Sequence, residues 1–211
     1  MVLGIAHRLT KELAKEVSIR QTWQIYNRGE YKTSTEDWLH PADSKRKEKP
    51  DLLNKILYDP KYIKAEIVII MLGAYDTLQK EPSVTPDDTV RNLELICQAL
   101  RRTGNEAKSI YLCTIPTAGD DIHLTEEQRI GNLTRNRLIA AYTDKNNDGV
   151  RPGLQLDLAS NFEMKRRNMY WKDGRHFSEI GYTKIAKDLV PQIRPDIVKR
   201  EFSLFRSDLG L

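Results

Sequence analysis

Two hydrophobic periods alternate along this chain. From 5 to 17 the apolar residues recur every fourth position, at Ile5, Leu9, Leu13 and Val17, the stripe of an amphipathic helix. Helical spacing returns at Leu52, Leu53, Ile56 and Leu57 within 51–64, where Pro60 interrupts it. It returns again at Val90, Leu93, Ile96, Cys97 and Leu100 within 86–103, with Pro86 near the start and Gly104 as the stop. Two more stripes follow, Ile130, Leu133, Leu138 and Ile139, then Ile180, Ile185, Leu189 and Val190. Between them lie short strand-like runs: Trp23 to Tyr26, Ala65 to Leu72, Ser109 to Ile115 and Gly153 to Leu158.

The run Ile67 to Leu72 contains no polar residue, which predicts a central parallel strand buried on both faces. Gly73 ends it at the carboxyl edge, the place where open α/β sheets bind ligands. Helices and strands alternate without repeat or linker. The expectation is a single α/β domain over residues 1–211, with a mostly parallel sheet and right-handed crossovers.

Composition narrows the function classes. The 211 residues are 39% apolar and 30% charged, with a formal net charge of +4 and both signs interspersed, so no nucleic-acid partner is expected. The densest basic run, Lys45-Arg46-Lys47 with Lys49, contains Glu48 and lies between Pro41 and Pro50. It reads as a solvated loop, with a membrane- or phosphate-facing patch as the weaker alternative. Cys97 and Cys113 fall in apolar patterns and are expected in the core, not in a disulfide. Met1 to Ala6 is too short for the apolar core of a secretory signal, and no run is long enough to span a bilayer. A cytoplasmic protein without membrane insertion is therefore expected, and the sequon Asn132-Leu133-Thr134 carries no weight there. Asp144 to Gly149 has the start of a calcium loop, but its twelfth position is Gln155 and Pro152 intervenes; a polar turn is the better reading. No metal and no cofactor are expected. His7 and His123 read as surface residues, on a helix and a loop.

The chemistry concentrates near Asp173-Gly174-Arg175-His176. An acid and an imidazole three residues apart across a Gly-containing turn can face one small volume, where the acid fixes the imidazole and the imidazole takes a proton from a nucleophile. The bland alternative is a polar turn followed by Ser178 as a helix N-cap. Asp173-Gly-Arg-His-Phe-Ser followed by Gly181-Tyr182 and an apolar helix resembles the last sequence block of the SGNH hydrolases, also called the GDSL esterase and lipase family. Upstream, Tyr26-Asn27-Arg28-Gly29 with Thr33-Ser34-Thr35 and Trp38-Leu39 resembles the second block, and Gly73-Ala74-Tyr75-Asp76 the third.

That resemblance, covering about Tyr26 to Val190, implies a three-layer α/β/α fold with a flavodoxin-like sheet of strand order 2-1-3-4-5. It implies hydrolysis of carboxylic esters by a Ser-His-Asp type mechanism. His176 would be the general base, Asp173 its orienter and the Gly29 backbone N–H an oxyanion donor. Small acyl esters, or acylated glycans or lipids, would be the substrates. Four departures qualify it. Tyr75 stands where the family has an oxyanion-donating Asn; it is longer and fills the space that the oxyanion needs. Lys32 stands where a second Gly is common. Arg175 replaces an apolar residue and would face solvent or an anion at the cleft mouth. The nucleophile block Gly-Asp-Ser is missing: Val2 to Ala6 aligns with its remnant, Ile5 and Ala6 standing at Asp and Ser, so the first strand is truncated or absent. The nearest hydroxyls are Ser18 and Ser34. An impaired or inactive hydrolase is the expectation, with a pseudoenzyme serving as a ligand-binding or interaction module as the alternative.

Overall fold

The computed structural model describes residues 4–45, 51–78, 83–103, 108–116, 124–145, 149–156 and 176–210. In chain order its elements are α1 (Ile5–Leu13), a 3-10 turn Thr35–Trp38, α2 (Leu52–Leu57), α3 (Pro60–Ile63), β1 (Ile67–Ile70), a 3-10 turn Asp76–Leu78, α4 (Pro86–Arg102), β2 (Ser109–Leu112), α5 (Glu126–Lys145), β3 (Val150–Pro152) and α6 (Glu179–Asp208). They fall in two compact units. One contains Met1–Asn27, Ala118–Ile122 and Phe162–Leu211; the other contains Arg28–Thr117 and His123–Asn161. Among the described residues no helix is long and apolar enough to cross a membrane.

The unit containing the sheet is α/β. Its strands lie in the order β1-β2-β3, all parallel, with Ile67 opposite Ser109 and Ile110 opposite Val150. Parallel pairing demands long crossovers, and α4 and α5 supply them. Thr85 caps α4 reciprocally with Asp88, and Pro86 follows at the first helical position. That helix then lays Leu93, Ile96, Cys97 and Leu100 into a core with Ile110, Leu112, Val150, Trp38, Leu39 and Leu53. Each such apolar side chain contributes about 1.5–3 kcal/mol by leaving water. Cys97 and Cys113 are fully enclosed, and burial pushes both thiols up to about 12, which makes them packing groups.

Three expectations change here. Among the described residues the middle strand is β2, with Ile110, Tyr111 and Leu112 all buried, whereas β1 lies at the edge of the ladder and is mostly half-buried. The last strand is Val150–Pro152, upstream of the expected Gly153 to Leu158. Its regular ladder stops because the chain closes on β2: a Cβ at Gly153 would stand 2.6 Å from Cys113 Sγ and 2.9 Å from the Leu112 carbonyl carbon. Backbone pairing continues in Gly153 N–H to Leu112 O at 2.8 Å and Thr114 N–H to Leu154 O at 3.0 Å, and side chains accept from the next amides. Leu154 N–H donates to Cys113 Sγ at 3.3 Å, and Leu156 N–H donates to Thr114 Oγ1 at 2.7 Å. In α5, Ile130 and Leu133 are 54% and 66% exposed, while Arg135, Asn136, Ile139 and Thr143 face inward. Asn136 replaces a strand partner: its Oδ1 accepts from Ile115 N–H at 2.7 Å and its Nδ2 donates to Ile115 O at 2.9 Å.

In the other unit α1 packs along α6, each burying its apolar stripe, Leu9 and Leu13 from one and Ile185, Leu189 and Ile193 from the other. The first helix stops at Leu13, four residues short of the expected end. Tight turns follow, Glu16 N–H donating to Leu13 O and Ile19 N–H to Glu16 O, and leave Val17 85% exposed. Ile180 is likewise 53% exposed. His7, expected at the surface, is half-buried with Nε2 enclosed and unpartnered among the described residues. The expected strand Trp23 to Tyr26 has no regular structure. Its neighbourhood is held by a carboxylate: Glu201 accepts from Arg20 N–H at 2.8 Å, Gln21 N–H at 2.9 Å and Trp23 Nε1 at 3.0 Å. Burial works against the Glu201 charge, but these donors and Arg20 outweigh it and hold the carboxyl below its usual range.

One core group titrates near neutrality. Lys108 is 4% exposed, and its Nζ lies 3.7 Å from the centroid of the Tyr62 ring; burial brings the amine down to about 8. The unfolded chain, with a lysine pKa of about 10.4, binds the proton more tightly across that interval. Stability attributable to Lys108 therefore rises with pH between about 8 and about 10.4. Urea titrations across this window should show a rise in wild type that Lys108→Met lacks. Parallel pH profiles in the two proteins would show that the folded state does not desolvate the amine.

Candidate functional site

The carboxyl end of β1 is shaped by Gly73. Its φ is +112°, and a Cβ there would meet Ile115 Cδ1 at 3.1 Å and Thr89 Cγ2 at 3.3 Å, so the turn needs glycine. The chain folds back at once: Asp76 N–H donates to Gly73 O at 3.1 Å and Leu78 N–H to Tyr75 O at 2.9 Å. This rotates Asp76 into the interior, where it is 2% exposed.

Asp76 is the hub of a buried network. Its Oδ1 accepts from Thr35 N–H at 2.7 Å, and its Oδ2 accepts from the Thr35 and Thr89 hydroxyls, each at 2.7 Å. Asn92 Nδ2 donates to Thr35 Oγ1 at 3.1 Å. Arg135 donates to Thr89 Oγ1 at 3.0 Å, to Thr77 Oγ1 at 3.3 Å and to the Val84 carbonyl. Burial pushes the Asp76 carboxyl above its ordinary value, while the Thr35 and Thr89 donors and the Arg135 charge pull it back. One carboxylate thus ties the loop at 33–38 to the turn at 73–78 and to α4 and α5. These two loops are the ones that resemble the second and third family blocks.

The loop at 33–38 is itself built from polar caps. Asp37 Oδ2 accepts from Ser34 N–H at 2.9 Å and from Ser34 Oγ at 2.8 Å. Trp38 Nε1 donates to Thr33 Oγ1 at 3.1 Å, and Ser44 Oγ donates to Glu36 Oε1 at 2.6 Å. Ser34, one of the two nearest hydroxyls to the missing nucleophile block, is therefore fully enclosed and committed to a helix cap. Ser18 is exposed in a turn. Just ahead of the loop, Lys32 has φ +57°, the only left-handed non-glycine among the described residues. A backbone conformation for which glycine is suited is here occupied by a lysine, at a cost of about 1–2 kcal/mol.

The predicted site residues are placed as follows. Gly29 is exposed, in a stretch without regular structure. Tyr75 is half-buried, between exposed Ala74 and buried Asp76. Both belong to the unit with the sheet, whereas His176 belongs to the other. His176 is half-buried, two residues before Ser178, whose Oγ accepts from Gly181 N–H at 3.2 Å and caps α6 as the sequence implies. Beside it Phe177 and Tyr182 meet edge to face, their centroids 5.6 Å apart. Asp173, Arg175 and His123 lie outside the described residues, as do Arg46 to Lys49 and Asn146 to Asp148 of the two loops considered for anions and calcium. Among the described residues no cluster of three His, Cys, Asp or Glu side chains fits a metal ion. The sequence reading missed Asp76, Thr89 and Arg135. The available signal was Arg135-Asn136 inside an otherwise apolar helical stripe.

No family model matches this chain, and no curated protein matches it. Among solved structures it is similar to a crystal structure of an acetyl esterase, a serine-to-alanine mutant with an acetate ion. That likeness covers 84% of this chain and 74% of that one, at 18% identity and a TM-score of 0.60. The fold is thus α/β, of the kind seen in a known ester hydrolase.

The network makes Asp76 the most sensitive position of this region. Asp76→Ala leaves the Thr35 amide and two hydroxyls without their acceptor and Arg135 without its opposing charge, and is expected to cost about 3 kcal/mol or more. Denaturant midpoints of the variant and wild type measure it. A loss below about 1 kcal/mol would mean that the network does not hold the two loops.

Proposed function

We propose that this chain is an SGNH-type protein, one three-layer α/β/α domain over residues 1–211 whose ancestral chemistry is the hydrolysis of carboxylic esters. The observation that carries the reading is the tie between Thr35 and Asp76. It brings together two sequence blocks, 41 residues apart, that the resemblance assigns to one oxyanion hole, and it does so at the carboxyl end of a parallel strand. The left-handed Lys32 and Gly73 add to it, because both positions keep a backbone shape suited to glycine. The likeness to an acetyl esterase supports the fold. In this reading His176 is the general base, Asp173 orients it and Gly29 donates to the oxyanion. Substrates are small acyl esters, or acylated glycans or lipids.

A second reading, a pseudoenzyme that binds such molecules without turnover, is favoured by two residues. Ser34 is consumed by its cap. Tyr75 occupies the position of the oxyanion-donating Asn, where loss of one donor costs about two to three orders of magnitude in turnover.

The purified chain is expected to hydrolyse p-nitrophenyl acetate weakly or not at all, with no labelling by a fluorophosphonate probe. Any turnover that it has should fall by about three to four orders of magnitude in His176→Ala. Turnover unaffected by that substitution would sink the triad assignment. Strong labelling would mean that an activated serine exists and would remove the pseudoenzyme reading.

A further inference from the structure

The last turns of α6 leave the body of their unit. Up to Ile197 the helix packs through Ile185, Leu189, Ile193 and Ile197, all nearly inaccessible, and Glu201 is the last buried residue. Every described residue from Phe202 to Gly210 is exposed. On the face opposite the packed one stand Val198, Phe202, Phe205 and Leu209, which are 37%, 61%, 58% and 56% exposed. Their spacing of four, three and four places them within an arc of about 60° at 3.6 residues per turn. A stripe with two half-bare phenylalanines leaves apolar area in water that a suitable surface would cover.

The charges around the stripe have one predominant sign. The acidic residues Asp196 and Glu201 are turned inward, and both Glu201 oxygens are engaged by Arg20, Gln21 and Trp23. Lys199 and Arg206 are exposed beside the stripe. Lys187 continues the same solvent face towards the helix start, and Arg194 lies there in an ion pair with Glu16 at 3.4 Å. Asp208 is the one exposed acid between Arg194 and Leu209.

From this geometry we infer that the end of α6 is an interfacial element that adsorbs to an anionic lipid surface, its phenylalanines entering the headgroup boundary and its lysines and arginines facing the phosphates. A second copy of the chain fits less well. With Phe202 and Leu209 at the a positions and Val198 and Phe205 at the d positions of a heptad, Lys199 and Arg206 both fall at e. Antiparallel pairing sets these cations against each other. Parallel pairing sets Lys199 against Arg194 and Arg206 against Glu201, whose carboxylate is already occupied. Adsorption is independent of the hydrolase reading and needs no spanning helix.

The test is flotation of the full chain with phosphatidylcholine vesicles, with and without phosphatidylglycerol. Binding should require phosphatidylglycerol and weaken as salt is raised. Phe202→Ser combined with Phe205→Ser should reduce the partition coefficient about tenfold or more without changing helicity or melting temperature, since both rings are exposed. Lys199→Glu combined with Arg206→Glu should reduce it about thirtyfold or more. Absence of binding, equal binding to both vesicles, or variants that bind like wild type would overturn the inference. So would a dimer in light scattering that the double serine variant converts to monomer, because a second copy would then cover the stripe.

Discussion

A buried carboxylate with a full set of donors is what the sheet-bearing unit depends on. Asp76 is enclosed where a bare charge would be intolerable, and it persists because one amide, two hydroxyls and the nearby Arg135 charge are aimed at it. Thr35 supplies two of these donors from 41 residues upstream, and Thr89 supplies one from the helix that follows. Removing the acid would withdraw the acceptor that Thr35 and Thr89 share. The turn that delivers Asp76 needs the left-handed Gly73, so the hub rests on a backbone requirement set three residues earlier.

The parts of the fold that were legible in the sequence are those where burial is apolar. Leu93, Ile96, Cys97 and Leu100 stand on the inner face of α4 as their spacing implies, and the Pro60 interruption becomes the start of α3, with Asp59 as its cap. The misreadings occur where polar groups go inside. In α5 the interior face carries Arg135 and Asn136, so a rule that turns apolar residues inward selected Ile130 and Leu133, which face solvent. At β3 the pattern of residues 153–156 is that of a strand, and the chain does run beside β2. Yet Gly153 brings the backbones so close that a thiol and a hydroxyl accept the hydrogen bonds that carbonyls would take in a ladder.

The candidate site divides along the same line. Local blocks read from residue types land in coherent places: Gly73 at a strand end in a glycine-only conformation, and Ser178 capping α6. What residue types do not encode is which polar side chains are consumed by structure. Ser34 and Asp76 look equally available in the sequence, yet the Ser34 hydroxyl is given to Asp37 and the Asp76 carboxylate holds the Thr35 N–H. Tyr75 is half-buried in the turn that brings Asp76 inside.

A common solution runs through residues 20–45, which contain no strand. A backbone N–H withdrawn from water must find an acceptor, and in a regular α/β sheet the ladder supplies it. Here carboxylates supply it. Glu201 takes the amides of Arg20 and Gln21, Asp37 takes that of Ser34, Asp76 that of Thr35, and Glu36 that of Lys45. Side-chain acceptors fix position through geometry and charge where a ladder would fix it by register. That makes this region dependent on a few carboxylates, whereas the parallel ladder of β1, β2 and β3 is held by backbone groups alone. Acid should therefore loosen the segment held by Glu201, whose carboxyl lies below its usual range, before it disturbs the ladder: that contribution is complete above the unfolded glutamate value and is lost as the pH falls through the folded one.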